Sequence, residues 1–145
     1  MDTILGRIPH RFPFLFVDRL LEREPGTRAV AEKLVSLGEP YLQGHFPGDP
    51  VVPGVLMLEM LAQAAAFLDE EDLNGVPVFL AQVVDARFKA PARPGDRLRL
   101  EVRTDMAFGG FQRIEGIEGT VSGEGRVLCT AKLLVKKGAP LELGE

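Results

Sequence analysis

The longest apolar run of the chain is Val55–Leu68, and only Glu59 and Gln63 interrupt it. A proline–glycine pair, Pro53–Gly54, precedes the run and suits the first turn of a helix. The run is shorter than the roughly 20 residues that a membrane-spanning helix needs. A helix without a charged stripe must be covered nearly all round by the rest of the protein. The sequence therefore predicts a central helix that is enclosed by other elements.

Most of the remaining sequence carries the signals of strands, in places with one polar and one apolar face. Within Arg97–Met106, for example, Leu98, Leu100 and Val102 share one face while the arginines occupy the other. The predicted strands are Phe14–Glu22, Arg28–Ser36, Val78–Phe88, Arg97–Met106, Phe111–Ser122 and Arg126–Val135. The predicted fold is α+β, a curved antiparallel sheet of about six strands wrapped around one long helix. One sheet of this size leaves part of the helix bare, so we expect a second copy of the chain to cover it.

Bulk composition excludes several classes of function. The net charge of −4 argues against a general nucleic-acid binder, because neutralising phosphates requires an excess of basic residues. The only cysteine, Cys129, cannot form an intramolecular disulfide, which fits a reducing cytoplasm. Residues 1–12 lack the long apolar segment of a secretion signal. We expect a cytoplasmic protein with a single domain over residues 1–145 that binds neither nucleic acid nor membrane.

A loop that contains one of the two histidines precedes the apolar helix. Three prolines restrict the backbone of this loop and allow it to fold back over the first helical turn with His45. On the helix, Glu59 and Gln63 are four residues apart and share a face, while Gly54 and Val55 lie about one turn earlier. If His45 returns to this face, an imidazole and a carboxyl group meet beside a helix N-terminus.

Such a group of residues suits proton abstraction next to a carbonyl combined with loss of a β-hydroxyl. Neutral His45 is a competent base near physiological pH, and burial raises the pKa of Glu59 and favours its proton-donating form. Free N–H groups of Gly54 or Val55 can stabilise charge on the carbonyl oxygen. The residues also fit structural roles, since a lone glutamate can pair with a buried arginine and a loop histidine is often structural. Gln63 is interpreted as a hydrogen-bonding brace.

Three segments of the sequence resemble one known family. The segment "IPHRFPFLFVDR" (Ile8–Arg19), followed by "GHFPGDPVVPGVLMLEMLAQ" (Gly44–Gln63), resembles the bacterial (3R)-hydroxyacyl-[acyl carrier protein] dehydratases of fatty acid synthesis, FabZ type. The segment "ARFKAPARPGDRLRLEV" (Ala86–Val102) is similar to the strand–turn–strand segment further along in that family. The order and separation of these segments match the family over nearly the whole chain.

The resemblance implies a role for individual residues. His45 is implied as the catalytic histidine, Glu59 as the catalytic glutamate and Gly54 as the glycine whose N–H holds the thioester carbonyl. It also implies a hotdog fold and an active site between two subunits, with the histidine from one and the carboxylate from the other. Dimers of this family commonly form hexamers as trimers of dimers. The implied reaction dehydrates (3R)-3-hydroxyacyl-[acyl carrier protein] to the trans-2-enoyl product in type II fatty acid biosynthesis.

Several points stay open at the level of sequence. His45 either shares the proton transfers with Glu59 or performs both, with Glu59 holding a water or the hydroxyl group. The glutamate at 59 favours the dehydratase-only branch over the dehydratase–isomerase branch, which usually carries aspartate there. Val52 and Gln82 depart from the family's common methionine and glycine, and we expect Val52 and Phe79 to line the acyl tunnel or gate. Phe79 fits plain core packing equally well. The alternative functions are a hotdog acyl thioesterase and a non-catalytic acyl-binding module.

The expected partner is acyl carrier protein, which carries the acyl chain on phosphopantetheine and is acidic. The cluster Arg87, Lys89 and Arg93 is the predicted docking patch, because a local basic surface steers an acidic partner even on an acidic protein. His10 and Arg11 are interpreted as structural braces of the N-terminal loop or of a subunit contact. Two distant histidines and one cysteine predict no metal site, and the absence of a phosphate-binding glycine loop predicts no cofactor.

Overall fold

The computed structural model describes residues 2–107, 109 and 114–141, and its body is an antiparallel sheet of six strands. The strands are β1 (Arg19–Glu24), β2 (Arg28–Leu34), β3 (Val78–Phe88), β4 (Arg97–Thr104), β5 (Ile114–Gly123) and β6 (Arg126–Lys137). Their spatial order is β1-β2-β4-β5-β6-β3, so β1 and β3 form the two edges. The predicted α+β architecture, an antiparallel sheet around one long helix, is confirmed.

The helices are α1 (Asp2–Leu5) and α2 (Gly54–Ala64), and short 3-10 turns occupy Pro40–Gly44 and Ala65–Leu68. The helix α2 begins directly after Pro53, as the sequence predicts, and packs against β2, β3, β4, β5 and β6. In the described part of the chain, no helix is long and apolar enough to cross a membrane.

The sheet and α2 enclose a common core. On β4, Leu98, Leu100 and Val102 are fully buried, as their alternation in the sequence predicts. On β5, a Cβ at Gly119 would lie 3.0 Å from both Cδ atoms of Leu61, so the missing side chain lets α2 lie close to the sheet. This close packing fixes the position of the helix that carries Glu59 and Gln63.

The first predicted strand is wrong in its first half, since β1 begins at Arg19 and not at Phe14. The buried side chain of Gln63 accepts a hydrogen bond from the N–H of Phe16 and donates one to the carbonyl of Phe14, both at 2.8 Å. Backbone groups satisfied in this way need no strand partner. The other strands agree with the prediction to within a few residues, although residues 111–113 of one predicted strand lie outside the described residues.

Candidate active site

The first turn of α2 presents backbone donors to its surroundings. The first hydrogen bond recorded at this end runs from the N–H of Leu56 to the carbonyl of Pro53, at 3.0 Å. The N–H groups of Gly54 and Val55 therefore lack an acceptor within the helix, as is general for a helix start. The side chain of Val55 is 70% exposed, so this turn faces outward from the single chain. Unpaired donors and the helix dipole together favour negative charge at this position.

Gly54 allows a close contact between α2 and the end of β3. A Cβ at this position would lie 2.9 Å from Cε1 of Phe88, so any larger residue displaces the phenyl ring or the helix. A cavity of about 330 Å³ borders the contact and is lined by Val52, Gly54, Met57, Phe88, Lys89, Ala90 and Pro91. Val52 is only 3% exposed, so the residue predicted for the tunnel belongs to the wall of this cavity.

Glu59 lies just over one turn beyond Gly54 on α2, and its side chain is 20% exposed. Burial raises the pKa of the Glu59 carboxyl, while a hydrogen bond from Gln63 opposes part of that rise. The raised pKa favours the protonated form of the carboxyl. Glu59 is therefore placed to donate a proton near a site that favours negative charge.

Gln63 holds Glu59 in a defined orientation. Its amide oxygen accepts from the N–H of Phe16, which leaves both amide hydrogens as donors. One is donated to the carbonyl of Phe14 and the other to Oε1 of Glu59, at 3.0 Å. Because backbone groups fix the amide, Oε1 of Glu59 must act as the acceptor. Gln63 is fully buried, and its contacts agree with the role of brace that the sequence indicates.

His45 follows the 3-10 turn Pro40–Gly44 and is half-buried. Its Nδ1 lies 2.8 Å from the carbonyl oxygen of Val51, while the N–H of Val51 donates to the carbonyl of His45 at 2.8 Å. A carbonyl oxygen only accepts, so Nδ1 carries the hydrogen and Nε2 of the neutral ring keeps a lone pair. The ring stacks on Phe46, with 4.2 Å between the centroids. This contact leaves the lone pair of Nε2 available to accept a proton.

Within one chain, no hydrogen bond or ion pair joins His45 to Glu59. The histidine beside Glu59 is His10, whose Nε2 lies 3.6 Å from Oε1 of the carboxyl group. The sequence indicates only a bracing role for His10, because its separation from Glu59 along the chain carries no spacing signal. Arg11 does brace the N-terminal segment, since its guanidinium donates to the carbonyls of Leu5, Ile8 and His10 and to Oδ1 of Asn74.

Phe79 lies far from this site within one chain. It stands near the start of β3, whereas Phe88 at the end of that strand contacts the first turn of α2. Nine residues of strand separate the two phenyl rings by about 30 Å. The side chain of Phe79 is 56% exposed and lies beside Gly138, where a Cβ would come within 2.9 Å of its ring. A single chain therefore does not bring Phe79 to the cavity at Gly54.

The predicted docking residues differ in how far their charges are compensated. Arg87 lies 3.4 Å from Asp85, and Arg93 lies 3.2 Å from Asp49. Lys89 is exposed, lines the cavity at Gly54 and has no ion-pair partner among the described residues. Lys89 therefore contributes an uncompensated positive charge at the mouth of the candidate site.

A larger cavity, of about 620 Å³, lies beyond the C-terminal end of α2 and is separate from His45 and Glu59. Its wall includes the acidic residues Asp69, Glu70, Glu71 and Glu115, and Lys137 pairs with Asp69 within it. Its described lining residues include no histidine and no helix N-terminus, so its size alone does not make it the reaction site. Over the ranges that the structure describes, no cluster of histidine, cysteine and carboxylate residues has the composition of a metal site.

Comparison with known proteins identifies relatives over most of the chain. The FabA-like domain family matches residues 8–132. The chain is 50% identical over 136 residues to a 3-hydroxyacyl-[acyl-carrier-protein] dehydratase FabZ of Roseiflexus sp. (strain RS-1), covering 92% of this chain and 93% of the relative. It is 51% identical over 136 residues to the protein of the same name from Chloroflexus aggregans (strain MD-66 / DSM 9485), covering 92% of both chains.

A solved structure agrees with the fold at much lower sequence identity. The dehydratase heterocomplex ApeI:P from Xenorhabdus doucetiae contains a chain that matches with a TM-score of 0.78 and 18% identity. The match covers 93% of this chain and 90% of that one. At this identity the likeness supports the fold alone.

Proposed function

The chain belongs to the FabA-like domain family, and from this premise we infer its reaction and the residues that perform it. It is a hydro-lyase, a 3-hydroxyacyl-[acyl-carrier-protein] dehydratase of fatty acid biosynthesis. The reaction removes a proton from the α-carbon and a hydroxyl group from the β-carbon of the acyl thioester. The electrons of the broken C–H bond form the new double bond, and the hydroxyl leaves as water. The dehydratase relatives favour this function over a thioesterase or an acyl-binding module.

We propose His45 as the base that removes the α-proton. The hydrogen bond from its Nδ1–H to the carbonyl of Val51 supports this role, because it leaves the lone pair of Nε2 for the substrate. The carbonyl also stabilises the positive charge that His45 gains when it takes the proton. No other side chain is needed to set the tautomer.

The start of α2 is the proposed site of the thioester carbonyl. Negative charge develops on that oxygen as the α-proton leaves, and the unpaired N–H groups of Gly54 and Val55 are the donors that oppose it. Since Gly54 has no side chain, the carbonyl can approach its backbone closely.

Glu59 is the proposed acid that protonates the leaving hydroxyl group. The single observation that carries the mechanism is the state of the Glu59 carboxyl group. This group is half-buried, has a raised pKa and lies one turn beyond the helix start, where the N–H groups are unpaired. Gln63 occupies Oε1, so Oε2 is the oxygen from which the proton departs. Once the carboxylate forms, it recovers a proton from His45, directly or through the released water.

Two copies of the chain are proposed to complete each site, with His45 of one copy beside Glu59 of the other. In one chain these side chains do not meet, and β3 leaves apolar residues uncovered beside Gly54. Antiparallel pairing of two β3 strands would also bring Phe79 of one copy near Phe88 of the other, which supports its role in a tunnel or gate. We further propose that each copy is a single hotdog domain over residues 1–145 and that three dimers form a hexamer.

The proposed partner is an acyl carrier protein, and the proposed location is the cytoplasm. Lys89 lines the cavity at Gly54, and together with Arg87 and Arg93, which are close to it in the sequence, it would attract an acidic protein carrying the substrate. Cys129 is a free, buried thiol, which suits a reducing compartment. No cofactor takes part in the proposed mechanism.

The reaction is tested by incubating the protein with a (3R)-3-hydroxyacyl carrier protein and measuring the mass of the carrier. Loss of one water with an intact thioester is the expected result. Release of the free acid and the carrier thiol would identify a thioesterase, and an unchanged mass would identify a binding module. Either result would overturn the proposed reaction.

Two substitutions test the residue assignments. His45→Ala and Glu59→Gln should each lower the turnover rate by about 100- to 10 000-fold, the range that general acid–base groups contribute. Size-exclusion chromatography should show the same assembly as the wild type. Substantial activity in Glu59→Gln would mean that Glu59 is not the acid.

Mixing the two inactive variants tests the shared site. After subunit exchange about half of the dimers contain one copy of each variant, and one of their two sites then has both His45 and Glu59 intact. Activity should recover to roughly one quarter of the wild-type value. Proven exchange without recovery would place each site within one chain.

A further inference from the structure

His10 adds a second contact to the carboxyl group of Glu59. Its Nε2 lies 3.6 Å from Oε1, the same oxygen to which Gln63 donates a hydrogen bond at 3.0 Å. The side chain of His10 is 15% exposed, and its Nδ1 is buried without a hydrogen-bond partner among the described residues. Burial of an unpaired polar nitrogen costs free energy of folding. The position of His10 therefore suggests that its contact with the carboxyl group of Glu59 has a function.

The surroundings of His10 keep the imidazole uncharged. Burial lowers the pKa of His10, and the positive charge of Arg11 lowers it further. The guanidinium of Arg11 is held in place by backbone carbonyls and by Asn74, so it remains beside the ring. The groups that act on Glu59 from the described elements are Gln63 and His10, and the proposed dimer adds His45 of the second copy.

A neutral imidazole carries its hydrogen on only one nitrogen. With the hydrogen on Nδ1, a buried N–H would lack an acceptor, and the lone pair of Nε2 would face the lone pairs of Oε1 on Glu59. With the hydrogen on Nε2, an N–H donor faces Oε1 and only the acceptor Nδ1 is left unpaired. The second tautomer is therefore favoured. At 3.6 Å, Nε2 of His10 and Oε1 of Glu59 are too far apart for a hydrogen bond. A small movement of the two side chains toward each other when substrate binds would form one.

We propose that His10 is a positioning residue for Glu59, whose N–H joins that of Gln63 at Oε1 and so leaves Oε2 as the oxygen that delivers the proton. Two donors at Oε1 make that oxygen the acceptor of the carboxyl group and exclude the proton from it. The same donors stabilise the carboxylate that remains after the proton has left. This proposal rests on the proposed role of Glu59 as the acid.

The test compares two amide substitutions that imitate the two ring nitrogens. In His10→Gln the amide nitrogen can reach the position of Nε2, whereas in His10→Asn it reaches only the position of Nδ1. We expect His10→Gln to keep kcat within about threefold of the wild type and His10→Asn to lose about tenfold, because a misdirected proton-transfer group costs rate. Both variants are polar and should assemble as the wild type does.

The pH profile of kcat separates positioning from packing, because kcat reports the ionisations of the enzyme–substrate complex, in which the hydrogen bond from His10 forms. The alkaline limb reports loss of the proton from Glu59, and removal of a donor makes its carboxylate less stable. Glu59 then keeps its proton to higher pH, so the limb of His10→Asn should move upward by roughly half to one unit. The limb of His10→Gln should stay near that of the wild type.

Other outcomes overturn the proposal in distinguishable ways. Equal kcat values and unshifted alkaline limbs in the two variants would show that His10 only fills space, while the role of Glu59 would stand. Full activity of Glu59→Gln would instead remove Glu59 as the acid and end both proposals. If His10→Asn fails to assemble, His10→Leu replaces it, since leucine also lacks the donor and carries the same expectations.

Discussion

The two edges of the sheet differ in length and in chemistry. The edge strand β1 is six residues long, four of them are charged, and its register shifts between Leu20 and Glu22. The edge strand β3 is eleven residues long and exposes a set of large apolar residues, Phe79, Leu80, Val83, Val84 and Phe88. Charges on an edge strand oppose its pairing with another strand, and β3 has only two among its eleven residues, Asp85 and Arg87, although its own register with β6 shifts twice.

The difference indicates which edge receives a partner. Exposed apolar side chains on an unpaired strand mark an interaction surface, and on β3 they extend to Phe88, which contacts Gly54. A partner that covers β3 would therefore also contact the first turn of α2. The edge proposed to pair and the site proposed to receive His45 of a second copy lie together, so assembly and catalysis should fail together.

The largest expected effect comes from a charge placed on the β3 edge. Val84 and Leu21 are both 38% exposed apolar residues, and they lie on opposite edges of the sheet. Val84→Lys should dissociate the proposed dimer, because a lysine on a strand edge opposes pairing. It should also lower the dehydration rate by about 100-fold or more, since in a monomer His45 and Glu59 would not meet in one site.

Leu21→Lys is the matched control on the β1 edge, and it should keep both the assembly and the rate within about twofold, as is common for surface substitutions. Light scattering coupled to size-exclusion chromatography measures the assembly. A monomeric Val84→Lys with wild-type activity would show that one chain holds a complete site. Dissociation by Leu21→Lys alone would show that the partner binds the other edge.

Gly54→Ala tests the contact between the β3 edge and the helix start. The added Cβ would lie 2.9 Å from the ring of Phe88, so the ring must move and the first turn of α2 with it. We expect a loss of about tenfold in kcat/KM, because small shifts of donors at a reacting oxygen are costly. Stability should change little, since Phe88 is half exposed and can yield.

A second substitution shows whether Phe88 transmits that loss. In a Phe88→Leu background the added methyl group at Gly54 has more room, so the further loss caused by Gly54→Ala should shrink. An unchanged loss in both backgrounds would mean that the methyl group obstructs the substrate directly and that the contact with β3 is not involved.

The sequence predicts those features that depend on hydrophobic periodicity and on the positions of proline and glycine. The strand β3 has the predicted bounds, Val78–Phe88, and α2 starts at the predicted Pro53–Gly54 pair. The prediction fails where one side chain replaces a strand partner: Gln63 satisfies the backbone of Phe14 and Phe16, so β1 starts later. Periodicity describes strand and helix faces, and it carries no information on hydrogen bonds between a side chain and a distant backbone.

In the candidate site, too, spacing along the sequence predicts some contacts and not those that depend on tertiary packing. Spacing of four residues placed Glu59 and Gln63 on one face of a helix, and their side chains are hydrogen-bonded. No spacing rule predicts that His10 lies beside Glu59, because the N-terminal loop reaches α2 through tertiary packing. The tautomer of His45 likewise depends on the fold of the loop, which brings the carbonyl of Val51 to Nδ1.

The smallest expected effect concerns charge at the β3 side of the molecule. Lys89 and Arg19 are both exposed and lie near opposite edges, so Lys89→Glu and Arg19→Glu change the net charge equally. Lys89→Glu should raise KM for the carrier-bound substrate by about three- to tenfold at low salt, because a charge at the rim of an interface governs encounter with an acidic partner. Arg19→Glu should leave KM unchanged.

High salt should remove most of the difference in KM between the two variants, since it screens exposed charges. Equal effects of the two substitutions would show that only net charge matters, and that the carrier protein does not approach along the edge where the two copies are proposed to meet.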